Sequence, residues 1–108
     1  MIATPDVIDR YRRAADARDF DALAACFTEE ATASDEGHTY SGRDEIRDWR
    51  AAVVAKWTYT TTVTASRQVS DDRYDVDIHI AGNFPGGEAD LTEAFTLRDG
   101  LIEHLAIA

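Results

Sequence analysis

Three oxygen-bearing side chains stand where the pattern around them asks for hydrocarbon. In the stretch EATASDEGHTYSG, Ala31 and Ala33 share one face of a strand-like alternation, and Asp35 ends that face. Further on, Leu91, Phe95 and Leu97 share a face, and Glu93 sits among them. Near the start, Val7, Ile8, Ala14 and Ala15 recur at helical spacing, with Tyr11 on the same stripe. A carboxyl on an apolar face is costly to ionise, so its pKa is expected to rise. An aspartate so placed suits the removal of a proton from carbon beside a carbonyl. A phenol, or a carboxyl kept protonated, suits donation to the oxygen on which enolate charge forms. Each position also has a plainer reading. Asp35 can cap the turn at Glu36-Gly37, Tyr11 can be a core aromatic with its hydroxyl at the rim, and Glu93 can pair with a neighbouring arginine or twist to solvent.

His38, three residues beyond Asp35, is a candidate proton shuttle at a pocket mouth or a plain loop residue. With Asp35 it would also suit a dehydratase or hydrolase. His79 shares a face with Asp75 and Asp77, a face expected to meet solvent or a second subunit, and His104 suggests no role. Asp35, Glu36 and His38 show no recognisable metal-ligand spacing, so no metal is expected. The single cysteine, Cys26, lies in DALAACF and reads as a small buried hydrophobe. Trp49, Trp57, Phe95 and Phe27 are candidates for core or for the aromatic walls of a ligand pocket.

The elements that must position these groups are readable from period and punctuation. Thr4-Pro5-Asp6 opens a helix, with the threonine as cap and proline at the first helical position. Its polar face carries Asp9, Arg10, Arg12, Arg13 and Asp16. A second, shorter helix starts at Asp19 or Asp21 and buries Phe20, Leu23 and Phe27. The Asp35 strand follows, then a loop around Gly37. Ser41-Gly42-Arg43-Asp44 resembles a capping box before a third helix striped by Ile46, Trp49, Val53 and Trp57. The Asp/Arg-rich face of that helix reads as solvated. From Thr58 the period becomes two, favoured by β-branched residues, and the threonines at 58, 60, 62 and 64 form one face, wet or packed on another subunit. Turns at Ser70-Asp71-Asp72, Phe84-Pro85-Gly86-Gly87 and Asp99-Gly100 separate the remaining strands. Helices leading into a meander of strands define an α+β domain.

The chain has 108 residues, 44% of them hydrophobic, which bounds it to one domain, 1–108, with a single modest core. It carries 21 acidic against 11 basic residues, a formal net charge of −10. That surface repels nucleic-acid phosphates and anionic lipid headgroups, so neither nucleic acid nor membrane is an expected partner. No apolar run is long enough for a bilayer span, and the first residues lack a basic-then-apolar leader, so a soluble cytoplasmic protein is expected.

Three stretches together carry a likeness. RYRRAADARDFDALAACFTEEATASD, YSGRDEIRDW and FTLRDGLIEHLAI, spread over nearly the whole chain, resemble the nuclear transport factor 2-like superfamily, in its ketosteroid isomerase and SnoaL-like polyketide cyclase branch. The resemblance implies a cone-shaped curved antiparallel sheet wrapped around three N-terminal helices (a cystatin-like roll), commonly as a homodimer. It further implies an aspartate base, Asp35, with a helix-1 tyrosine, Tyr11, and a protonated second acid, Glu93, as donors to the oxyanion. Glu93 is one methylene longer than the family's aspartate, and the chain ends soon after its last strand, so the mouth is expected to lack a covering tail. The expected activity is cofactor-independent proton transfer on a small hydrophobic carbonyl compound, as an isomerase or a cyclase. The rival expectation is a non-catalytic small-ligand-binding or dimerisation module of the same fold.

Overall fold

A computed structural model describes residues 4–108. Helix α1 spans Asp6–Ala17, α2 Phe20–Ala25 and α3 Gly42–Lys56; the strands are β1 Phe27–Asp35, β2 His38–Ser41, β3 Tyr59–Ser70, β4 Arg73–Gly82, β5 Glu88–Arg98 and β6 Leu101–Ile107. Asp99 and Gly100 both adopt left-handed angles, φ 53° and 78°, the two-residue turn whose twist suits the β5–β6 hairpin. Glu36 and Gly37, φ 51° and 79°, make the same kind of turn. The segment expected as a loop around Gly37 is therefore a tight hairpin, with Asp35 paired to His38.

The six strands form one sheet in the order β2-β1-β6-β5-β4-β3. Neighbours are antiparallel except β1 and β6, which run parallel, so the sheet is mixed where a wholly antiparallel one was expected. Phe27 does not close the buried side of α2. It opens β1, paired with Ile102, and a register irregularity between Phe27 and Thr32 separates it from the buried alternation of Ala31 and Ala33. At the start of α1 the cap also differs. Pro5 holds the N-cap position, and the Thr4 hydroxyl donates to Asp9 Oδ1 at 2.6 Å instead of capping the helix.

The helices cover one face of this sheet. Val7, Ile8, Tyr11 and Ala14 of α1 and Ile46 and Trp49 of α3 are buried there with Phe95, Ile102 and Leu105. Tyr11 meets Phe27 and Phe95 edge-on, at 5.9 and 5.5 Å between ring centres, contacts worth about 0.5–1.5 kcal/mol each beyond the area they bury. Among the described residues no helix is long and apolar enough to cross a membrane.

Strand pairing sets one row that matters for chemistry. His38, Asp35, Ile107, Glu93, Val76 and Ser66 are successive partners across the whole sheet. Paired residues point to the same side, so Asp35 and Glu93 flank Ile107 on one face. Two strand spacings separate their backbones, about 10 Å. Beyond them Gly82 lets β4 press on the start of β3. A Cβ there would stand 2.2 Å from the Thr58 carbonyl oxygen and 2.6 Å from Tyr59 Cβ. The turn that follows is tied to the same place, with Asn83 N–H donating to the Thr58 carbonyl and Thr58 N–H to Asn83 Oδ1.

Candidate functional site

Between the sheet and the helices lies a cavity of ≈ 380 Å³. Asp35 and Glu93 both reach its wall, joined by Arg12 from α1, Arg50 from α3 and Tyr59 from β3. Ile78, Ile80, Leu91 and Ile107 supply the apolar floor, and Trp57, Phe84 and Pro85 complete the lining. A volume of this order takes a small molecule of two or three rings.

Asp35 is half-buried at the end of β1, where the small side chains Ala31 and Ala33 let α3 approach closely. Trp49 on α3 donates its indole N–H to Asp35 Oδ2 at 3.3 Å and fixes the rotation of the carboxyl. Burial pushes the Asp35 carboxyl above the ordinary aspartate range; the Glu36 charge adds to that, and the Trp49 hydrogen bond works against it. A carboxylate made harder to ionise is a better proton acceptor once ionised. Trp49 is itself held by stacking on Tyr40, 5.3 Å between ring centres at 15°.

Glu93 is buried, as its place on the apolar face of β5 demands. Its carboxylate is ion-paired with the Arg12 guanidinium. In that contact Glu93 accepts a hydrogen bond, whereas the role implied by the resemblance is that of a donor. Of the readings open for Glu93, pairing with an arginine is the one the packing adopts. Burial holds the Arg12 guanidinium below its ordinary pKa.

Arg50 projects from α3 over the Trp49 ring, 5.0 Å from its centre, and donates through Nη2 to the Tyr59 hydroxyl at 2.8 Å. Among the described residues it has no carboxylate within 4.0 Å, and its Nε is buried without a hydrogen-bond partner. The polar face of α1 and the flank of α3 that was expected to be solvated thus each send one arginine inward.

Of the remaining candidates, Tyr11 lies in the core behind Arg12, with its hydroxyl buried and unpartnered. His38 stands beside Asp35 in register but is exposed, and it is not part of the cavity lining. Trp57 lines the cavity, whereas Trp49 lines an adjoining recess and touches the site through Asp35. Phe27 and Phe95 are fully buried core residues and do not reach it. His79 lies on the exposed face, hydrogen-bonded to Asp90 and Glu88. Among the described residues no group of three His, Cys, Asp or Glu is placed to hold a metal ion. Arg12, Arg50 and Tyr59 are polar cavity-wall positions that sequence reasoning passed over. The one available signal was Glu93, since a carboxylate on an apolar face calls for a buried cation.

Comparison with known proteins agrees with this architecture. No curated protein matches the chain. A proposed polyketide cyclase from Sinorhizobium meliloti is 33% identical, with a TM-score of 0.92 over 97% of this chain and 95% of that one. A Catenulispora acidiphila protein with a ketosteroid isomerase-like fold, solved with trimethylamine, is 20% identical, TM-score 0.84, over 98% and 86% of the two chains. The Mycobacterium tuberculosis protein RV0760c, solved with estradiol-17β-hemisuccinate, is 16% identical, TM-score 0.78, over 94% and 88%. At those lower identities the likeness is one of fold. Residues 8–105 match the family model of the SnoaL-like domain, and the chain belongs to that family.

Proposed function

We propose that the protein is a small cofactor-independent enzyme that moves a proton on a hydrophobic carbonyl compound, with Asp35 as the base. The observation that carries this reading is the Asp35 carboxylate, half-buried, oriented by Trp49 and facing a cavity with guanidinium groups on its wall. In the step envisaged, the carbon–hydrogen bond beside the carbonyl breaks and its proton joins an Asp35 oxygen. The electron pair moves to the carbonyl oxygen, where the Tyr59 hydroxyl, itself accepting from Arg50, is placed to donate to it. Returning the proton to a more distant carbon makes an isomerase; attack of the enolate carbon on a second carbonyl makes a cyclase. Likeness to the Sinorhizobium protein supports the second outcome. Cytoplasmic location and assembly as a homodimer belong to the same proposal, and sedimentation velocity reads the assembly.

The test is conversion of 3-cyclohexenone to its conjugated isomer, with exchange of solvent deuterium followed by NMR. Asp35→Asn is expected to lower the rate by about 10²–10⁴-fold. An unchanged rate removes Asp35 as base. A non-catalytic ligand-binding role is the second reading, favoured by the engagement of Glu93 with Arg12 and the seclusion of Tyr11. It predicts binding with no exchange in the wild type.

A further inference from the structure

Building on the reading of the cavity as a carbonyl site, we propose that its natural ligand carries a carboxylate and that Arg50 is the residue that receives it.

The physical basis is a cation that no described carboxylate touches, although Asp35 attracts it from beyond ion-pair distance. A guanidinium stays protonated at any physiological pH, so burial cannot be relieved by losing the proton. Buried cations are accordingly paired with carboxylates as a rule. Arg12 obeys it through Glu93. Arg50 does not. Its one hydrogen-bond acceptor is the neutral Tyr59 hydroxyl, and no carboxylate among the described residues comes within 4.0 Å. An arginine kept in this state at a cavity wall is poised for an anion from outside the chain. Planar guanidinium matches a carboxylate with two parallel hydrogen bonds, the geometry in which arginine exceeds lysine.

The position of Arg50 also limits the ligand. One indole organises both groups: Trp49 holds Asp35 by its N–H edge and carries Arg50 over its face. A carboxylate on Arg50 and an acidic carbon at Asp35 must therefore be close together in the same molecule. The apolar floor of Ile78, Ile80, Leu91 and Ile107 asks for a flat hydrocarbon body. The substrate class is a small ring-bearing keto acid. With a net charge of −10, the protein does not draw such an anion in from a distance, so its selection rests on the local contact.

The experiment compares 2-naphthoate with 2-naphthamide, equal in shape and different in charge, by isothermal titration at pH 7. The wild type is expected to bind naphthoate at least tenfold more tightly. Arg50→Gln should bring the two within threefold, and Arg50→Lys should keep part of the preference. Equal binding of both probes by the wild type, no binding of naphthoate at millimolar concentration, or a preference intact in Arg50→Gln would each overturn the proposal. Should Arg50→Gln fail to fold, the wild type still decides. The Nε–H resonance of Arg50 must shift with naphthoate and stay with naphthamide, and movement confined to Arg12 refutes the assignment. Because the readout is binding alone, it is independent of whether Asp35→Asn abolishes turnover.

Discussion

Replacing Glu93 by glutamine separates a structural carboxylate from a catalytic acid. The change keeps the size of the side chain and removes its charge, leaving the Arg12 cation with a neutral acceptor. Glu93 is 3% and Arg12 19% exposed in their side chains, so water offers little compensation. Removing one partner of such a pair costs about 3–5 kcal/mol in general. The amide oxygen can still accept one hydrogen bond and Arg12 touches the cavity, which lowers the expected loss to about 2–3 kcal/mol. For a domain of this size that corresponds to a fall in Tm of about 8–12 °C. Urea unfolding with constant m-value is the assay. Arg12→Met should show a penalty that shrinks as the pH falls, because the stranded carboxylate can take a proton and a stranded guanidinium cannot lose one. Exchanging both partners, as Arg12→Met with Glu93→Leu, should return stability to within about 1 kcal/mol of the wild type. A loss below about 1 kcal/mol in Glu93→Gln, with no coupling to Arg12, would refute the ion pair and restore a protonated Glu93 as oxyanion donor.

Two further substitutions probe the site through stability. The Asp35 carboxyl binds its proton more tightly in the folded than in the unfolded chain, so folding should weaken as pH rises from the ordinary aspartate range through the raised value. Asp35→Asn should lack that fall and be the more stable of the two at pH 7, and parallel pH–stability curves for the two proteins would contradict it. Tyr11→Phe removes a hydroxyl that is buried without a partner and leaves both edge-to-face contacts in place, so Tm should stay level or rise. A loss above about 1 kcal/mol would reveal a hydrogen bond at that oxygen.

What could be read in advance follows from what each position does to a local pattern. The Asp99-Gly100 turn and the alternation through Ala31, Ala33 and Asp35 are local, so residues a few places apart announce them. The parallel pairing of β1 with β6 joins residues more than sixty places apart across α3, and no local period encodes it. Phe27 continues the helical period of Phe20 and Leu23, and only its pairing with Ile102 places it in the sheet. The same distinction divides the site. Asp35 and Glu93 are conspicuous because a carboxylate on an apolar face violates the alternation around it. Arg12 and Arg50 violate nothing, since an arginine on the charged flank of a helix is what a solvated surface requires. Only the closure of α1 and α3 over the row Asp35, Ile107, Glu93 turns those flanks inward. Chemistry that depends on a misplaced acid is therefore visible in one dimension. The charge of the ligand, which depends on a cation whose partner is missing in space, becomes visible only when the packing shows that Arg12 has found Glu93 and Arg50 has found no carboxylate.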